Sequence, residues 1–154
     1  MRLSRKADYG LRALLTLTTH HGEGPIPARL IAKENDVPRA FLESILLEMK
    51  ARGWVGSVPG RTGGYFLSVP PNQITMGQIV RFFDGVLAPI GCISTKQFED
   101  CSQAGRCRFR RILLEIRNHV DQLMDAETLL DLTNRDHVHR DEVFQIEIPY
   151  GDGI

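Results

Sequence analysis

Apolar positions recur at intervals of three and four through much of the chain. Ala7, Leu11, Leu14, Leu15 and Thr18 follow Ser4 in this way, which predicts an amphipathic helix capped by Ser4 and running to about His20. Residues 21–27, with two glycines and two prolines, predict a turn. A short helix is expected over Ala28–Asn35, with Leu30 and Ile31 facing inward, broken by Asp36-Val37. Pro38 then suits the first position of a new helix, where its missing N–H costs nothing. That helix reaches about Arg52, with Phe41, Leu42, Ile45, Leu46 and Met49 on its apolar face and Gly53 as its left-handed stop.

The pattern changes at Trp54. Two short β-rich runs, 54–58 and 65–69, flank the Gly-rich segment 59–64, which predicts a hairpin. Pro70-Pro71 ends it. Thr75 caps a helix through about Phe83, stopped by Asp84-Gly85. Residues 86–106 lack periodicity. From Cys107 a long helix is expected, with Phe109, Ile112, Leu113, Ile116, Val120 and Leu123 as an apolar stripe suited to pairing with a second copy of the chain. A short helix near 126–132 and a weakly ordered tail over 133–154 complete the reading. The predicted fold is mainly α with a small β-hairpin wing. It comprises a winged helix-turn-helix over 1–85, a loop over 86–106, a dimerisation helix with its short successor over 107–132, and the tail.

Helix, tight turn, helix and hairpin is an arrangement that places its second helix in the major groove of DNA. The N-terminal residues of that helix are Arg39, Ala40, Glu43 and Ser44. Arginine can fork onto guanine O6 and N7, and glutamate can accept from cytosine N4. Arg61 lies between glycines at the hairpin tip, where it suits a phosphate or a narrow minor groove. Arg2, Lys6, Lys50, Arg52 and Ser57 are candidate phosphate contacts. The alternative is a small helical domain with a solvated charged face.

The formal net charge is zero, which at first argues against nucleic acid. The distribution changes that picture. Residues 1–65 carry ten Lys and Arg against six Asp and Glu, a balance of +4, and residues 66–154 carry the opposite excess. A charge split between halves is a nucleic-acid signal in a way that the total is not. No apolar run approaches the roughly 18 residues of a membrane span. The basic N-terminus lacks the uninterrupted apolar run of a signal peptide. A cytoplasmic protein without a membrane partner is expected.

The cysteines, Cys92, Cys101 and Cys107, fall within sixteen residues, and the rest of the chain has none. An odd number argues against a disulfide framework. The spacers of eight and five residues are longer than the short knuckles of structural zinc sites and suit a larger iron–sulfur core. Arg106, Arg108, Arg110 and Arg111 surround Cys107. Cations at a helix N-terminus oppose its dipole, but they would balance a thiolate-held cluster of net charge about −2 and donate hydrogen bonds to it. Three free thiols in a basic patch, acting as a redox switch, are the alternative.

Met1-Arg2-Leu3-Ser4, the Leu42-Glu43 pair, Gly60-x-x-Gly63-Gly64-Tyr65, Ile79 with Asp84-Gly85, and the three clustered cysteines together resemble the IscR/NsrR (Rrf-type) family of bacterial regulators. The resemblance covers about residues 1–132. It implies a homodimer, a long dimerisation helix, an iron–sulfur cluster, [2Fe-2S] or [4Fe-4S], near the dimer interface, and binding of double-stranded operator DNA that depends on cluster state. The signal would be nitric oxide, redox state or iron–sulfur supply. IscR-like members have a histidine ligand three residues after the third cysteine, where this chain has Arg110. NsrR-like members use an acidic residue near the partner's N-terminus, and Asp8 occupies that region here. Asp8 is equally suited to a first-turn acid favoured by the helix dipole. The first spacer, eight residues, is longer than the five of those two members.

The expected protein is therefore a transcription regulator and not an enzyme, since no nucleophile–base constellation or phosphate-cradling motif is found. A cluster-free cysteine switch is the nearest rival, and a small iron–sulfur electron carrier a more distant one. His137-x-His139 reads as a solvated pair in a polar tail.

Overall fold

The computed structural model of the chain describes residues 1–145. Helix α1 spans Arg5–Thr19, and the Ser4 hydroxyl accepts from Ala7 N–H at 3.1 Å as its N-cap. Helix α2, Ala28–Glu34, ends at Asn35. Asp36 follows at φ 52°, a left-handed turn residue, and sends the chain into α3, Arg39–Arg52. Pro38 is the N-cap of α3 rather than its first helical residue. Its ψ of 124° is extended, while its carbonyl already accepts from Leu42 N–H at 3.0 Å. Gly53 at φ 90° closes α3, and Trp54 N–H reaches back to the Met49 carbonyl.

Strands β1, Val55–Val58, and β2, Gly64–Leu67, pair antiparallel with Val55 opposite Leu67 and Val58 opposite Gly64. The turn between them depends on Gly63, where a Cβ would lie 2.0 Å from the Val58 carbonyl oxygen. Ile26 and Tyr65 exchange both backbone hydrogen bonds at 2.8 Å, so the segment before α2 lies against the wing as a one-residue third strand.

Helix α4, Met76–Asp84, starts with a Thr75–Gln78 capping box. The chain then passes through a single 3₁₀ turn, Gly91–Ile93, to α5, Phe109–Ala126. Helix α5 begins two residues after Cys107, because residues 101–107 are held in turns by bonds to the Cys101 and Gln103 carbonyls. Helix α6, Leu129–Thr133, starts later than the expected 126, where a Thr128–Asp131 capping box fixes it. The tail is not uniformly loose: α7, Arg140–Phe144, forms within it. The remaining expectation for the tail, over 146–154, lies outside the described residues.

One core joins these elements. Leu14, Leu17, Ile31, Leu42, Ile45, Leu46, Met49, Ile74, Ile79 and Leu129 are fully buried within it. Two residues expected inside are half out. Leu30 is exposed while Ile31 and Ala32 are buried, because at 100° per residue a buried side centred on those two turns Leu30 outward. Phe41 is exposed and meets the Tyr9 ring edge-on at 5.7 Å.

Helix α5 is clamped onto α4. Arg81 donates to Asp121 at 2.8 Å and to both Asp125 oxygens at 2.6 and 2.8 Å. The Thr75 hydroxyl donates to Asp125 at 3.2 Å. Backbone bonds from Met76 to Glu127 and from Leu129 to Ile74, both 2.8 Å, close the junction.

Candidate DNA-reading surface and cysteine cleft

The buried residues of α3 lie on one side, leaving Arg39, Ala40, Ser44, Lys50 and Arg52 exposed and Glu43 half-buried on the other. Arg39 Nε donates to Glu43 Oε1 at 2.8 Å, an i,i+4 ion pair. Lys50 Nζ lies 2.6 Å from Ser57 Oγ, which ties the end of α3 to β1. The Arg52 guanidinium stands 5.0 Å from the Trp54 ring. Arg61 is exposed in the wing turn, with Gly60 at φ 107° beside it.

The N-terminal candidates are arranged differently. Lys6 is ion-paired with Glu48 at 2.7 Å, so one charge of α3 already neutralises it. Arg2 lines a polar cleft of about 610 Å³ with Arg5, Asp84 and Lys96. Asp84 Oδ2 accepts from Ser4 N–H at 2.8 Å there. Lys96 Nζ donates to the Phe83 carbonyl at 2.5 Å, a contact of which the aperiodic run 86–106 gives no sign.

The cysteines are all free thiols, and they divide two to one. Cys92, in the 3₁₀ turn, and Cys107, just before α5, are half-buried and line one cleft of about 470 Å³ with Arg110, Arg111 and Arg117. Cys101 is exposed and does not line it. Among the described residues, no group of three or more His, Cys, Asp or Glu side chains converges to hold a metal ion. The donor set thus fits a thiolate-held anionic group in part. Two thiols share a strongly cationic cleft, and the third stands on the turn outside it.

Two arginines fasten this cleft. Arg110 donates to the Cys92 carbonyl at 2.7 Å, and Arg117 donates to the Ile93 carbonyl at 2.5 Å. The residues flanking Cys107 draw attention to Arg110 but not to Arg117. Its seven-residue spacing from Arg110, two helical turns along one face, is the signal that could have found it. Asp8 is held within its own helix by Arg12, at 2.8 and 3.0 Å.

The expected stripe on α5 splits. Phe109, Ile112, Ile116 and Leu123 are 67, 56, 43 and 55% exposed. Leu113 and Val120 are half-buried instead, and Val120 packs on the core. The inward turn of Val120 follows from the Arg81 clamp at Asp121 and Asp125, which sets the rotation of α5.

A two-helix unit with its second helix bared beside a two-stranded wing defines a winged-helix DNA-binding regulator. No helix among the described residues is long and apolar enough to cross a membrane. The chain belongs to the Rrf2 family, described as iron-dependent transcriptional regulators, whose model matches residues 3–135. It is 34% identical over 134 residues to the transcriptional regulator CymR of Bacillus subtilis, spanning 87% of this chain and 91% of CymR. Against IscR of Pectobacterium carotovorum the identity is 28% over 138 residues, 90% of this chain and 82% of IscR. The crystal structure of the oxidised form of Staphylococcus aureus CymR superposes with a TM-score of 0.72 at 28% identity, covering 90% of this chain and 100% of that one.

Proposed function

We propose that the protein is a homodimer that binds an operator through α3 and the wing, under the control of chemistry at Cys92, Cys101 and Cys107. The observation that carries this reading is the pairing of a bared α3 face with a cysteine cleft fastened to α5. Arg110 and Arg117 bond the cysteine turn to the same helix that carries the exposed Phe109, Ile112 and Ile116. Four large apolar residues on one exposed helix face suit a symmetric contact between two copies. The two α3 helices of such a dimer would meet half-sites roughly 34 Å apart. A change at the cysteines would then reach the interface that sets their spacing.

An iron–sulfur cluster is the first form of that chemistry. The Rrf2 description, the similarity to IscR and the cationic cleft support it. Cys92, Cys101 and Cys107 would hold the cluster, and Asp8 of the partner protomer is the candidate fourth ligand. Arginine N–H groups beside the cleft would offset the cluster's negative charge. A cluster-free thiol switch is the second form. The exposure of Cys101 outside the cleft favours it, as does similarity to a regulator crystallised in an oxidised form.

Anaerobic purification separates the two. A coloured protein containing iron and sulfide supports the cluster, and a colourless one that forms disulfides on oxidation supports the switch. Retardation of DNA from its own promoter, before and after oxidant or nitric oxide, tests the control itself. Asp8 is tested in a mixed dimer of Asp8→Ala with Cys107→Ala. Ligation across the interface leaves that dimer one complete site, whereas ligation within a chain leaves none.

A further inference from the structure

We infer that Leu47, with Ala40 beside it, reads the 5-methyl group of a thymine in the major groove. This rests on the docking of α3 proposed above and deepens it, by naming a base feature and the residue that meets it.

The buried side of α3 is formed by Leu42, Ile45, Leu46 and Met49. At 100° per residue, the direction opposite that side falls between Ala40 and Ala51, with Leu47 about 30° from it. Arg39, Glu43 and Lys50 lie to one flank, and Ser44 to the other. Leu47 is 57% exposed, the most exposed large hydrophobic residue within residues 1–85. Ala40 and Ala51 are also exposed, and no described element covers them.

A single exposed leucine on a protein surface is ordinary. Here the leucine stands near the middle of the bared face of α3, on an apolar strip rimmed by Arg39, Glu43, Lys50 and Ser44. That composition selects its occupant. A rim of two cations, Ser44 and the acceptor Glu43 matches phosphates and base edges. The thymine methyl is the one apolar group among the base features of the major groove. A second copy of the chain is matched instead by the larger apolar face of α5, where Phe109, Ile112, Ile116 and Leu123 are exposed.

The geometry also limits a spacing. Leu47 lies eight residues beyond Arg39, about 12 Å along the helix axis. With a base-pair rise of about 3.4 Å, and α3 inclined to the DNA axis in the groove, the thymine should lie at most about three or four base pairs from the base met by Arg39.

The test works on an operator of unknown sequence. The intact dimer is used to enrich duplexes from a random pool. Each thymine of the enriched sequence is then replaced by deoxyuridine, which removes only the methyl. Burying one methyl-sized group corresponds to about a fourfold change in affinity. One position per half-site should therefore show about a fourfold loss, and about fifteenfold when both half-sites are changed. Leu47→Ala should lose a similar factor on the thymine duplex and nothing further on the deoxyuridine one. Arg39→Ala should lose discrimination at a different position, within the spacing given above. Because Leu47 is exposed, the Leu47→Ala dimer should melt like the parent, and the deoxyuridine scan works on the unaltered protein in any case. A flat deoxyuridine scan, or Leu47→Ala and deoxyuridine effects that simply add, overturns the inference and leaves the docking intact. Enrichment of no sequence at all overturns the docking and the inference with it.

Discussion

Arg39 and Glu43 stand one turn apart on α3 with Nε 2.8 Å from Oε1, so the two side chains proposed to meet base edges hold each other. An exposed pair of this kind contributes only about 0.3–0.5 kcal/mol. It therefore orients the guanidinium without trapping it. Glu43→Gln should release Arg39 and remove a negative charge that faces a polyanion. Binding to unrelated duplex should strengthen by about fivefold at low salt. Arg39→Ala should instead relax specificity at one base position by about 1–3 kcal/mol. Fluorescence anisotropy on matched and scrambled duplexes measures both, and unchanged values in both variants would remove α3 from the interface.

A different kind of contact is proposed for the wing. Arg61 is exposed at a glycine turn and pairs with no carboxylate among the described residues. Arg61→Ala should weaken all duplexes alike and lower the slope of log affinity against log salt by about 1 per protomer. A loss confined to one sequence would mean that Arg61 reads a base instead.

The Arg81 clamp predicts a pH dependence. Hydrogen bonds from Arg81 hold the Asp125 carboxyl below its ordinary value of 3.8. A lowered folded-state value stabilises the fold above the unfolded value, and this contribution disappears as pH falls through the folded one. Asp125→Asn should thus be less stable than the parent near neutrality, by about 0.5–1 kcal/mol for a partly solvated pair. The two should converge as pH falls below 3.8. Denaturant melts across that range check it, and a gap that widens in acid would contradict the assignment.

Pairing through α5 is tested by Ile116→Asp. Burying a carboxylate in a dimer contact should cost on the order of 3 kcal/mol, about a hundredfold in the dissociation constant. Sedimentation should show monomer at concentrations where the parent is a dimer, with weaker operator binding in parallel. A stable dimer would move the interface elsewhere.

What the sequence made legible were features written in local chemistry. Ser4, Gly53 and Thr75 mark helix ends because each cap bonds within a few residues of itself. The bared side of α3 follows from periodicity. What stayed hidden depends on distant partners. Periodicity could not rank Leu30 against Ile31, since the packing of α2 decides which is covered. Pro38 satisfies both the N-cap and the first helical position locally. The bonds of Arg117 to Ile93 and Lys96 to Phe83 depend on the path of a segment without a repeat. Spacing grouped the three cysteines along the chain but could not tell that Cys101 would face outward.

The backbone bonds that join Ile74 and Met76 to Glu127 and Leu129 act as a clasp around everything between them. With both ends of that excursion fastened, a loop inside it can lengthen at small cost, because closure entropy grows only slowly with length. The cysteine segment is thus a cassette. Residues inserted between Cys92 and Cys101 should therefore leave the register of α1 to α3 unchanged. Under the proposed function, one DNA-binding unit would then accept different cysteine spacings, the eight residues between Cys92 and Cys101 among them.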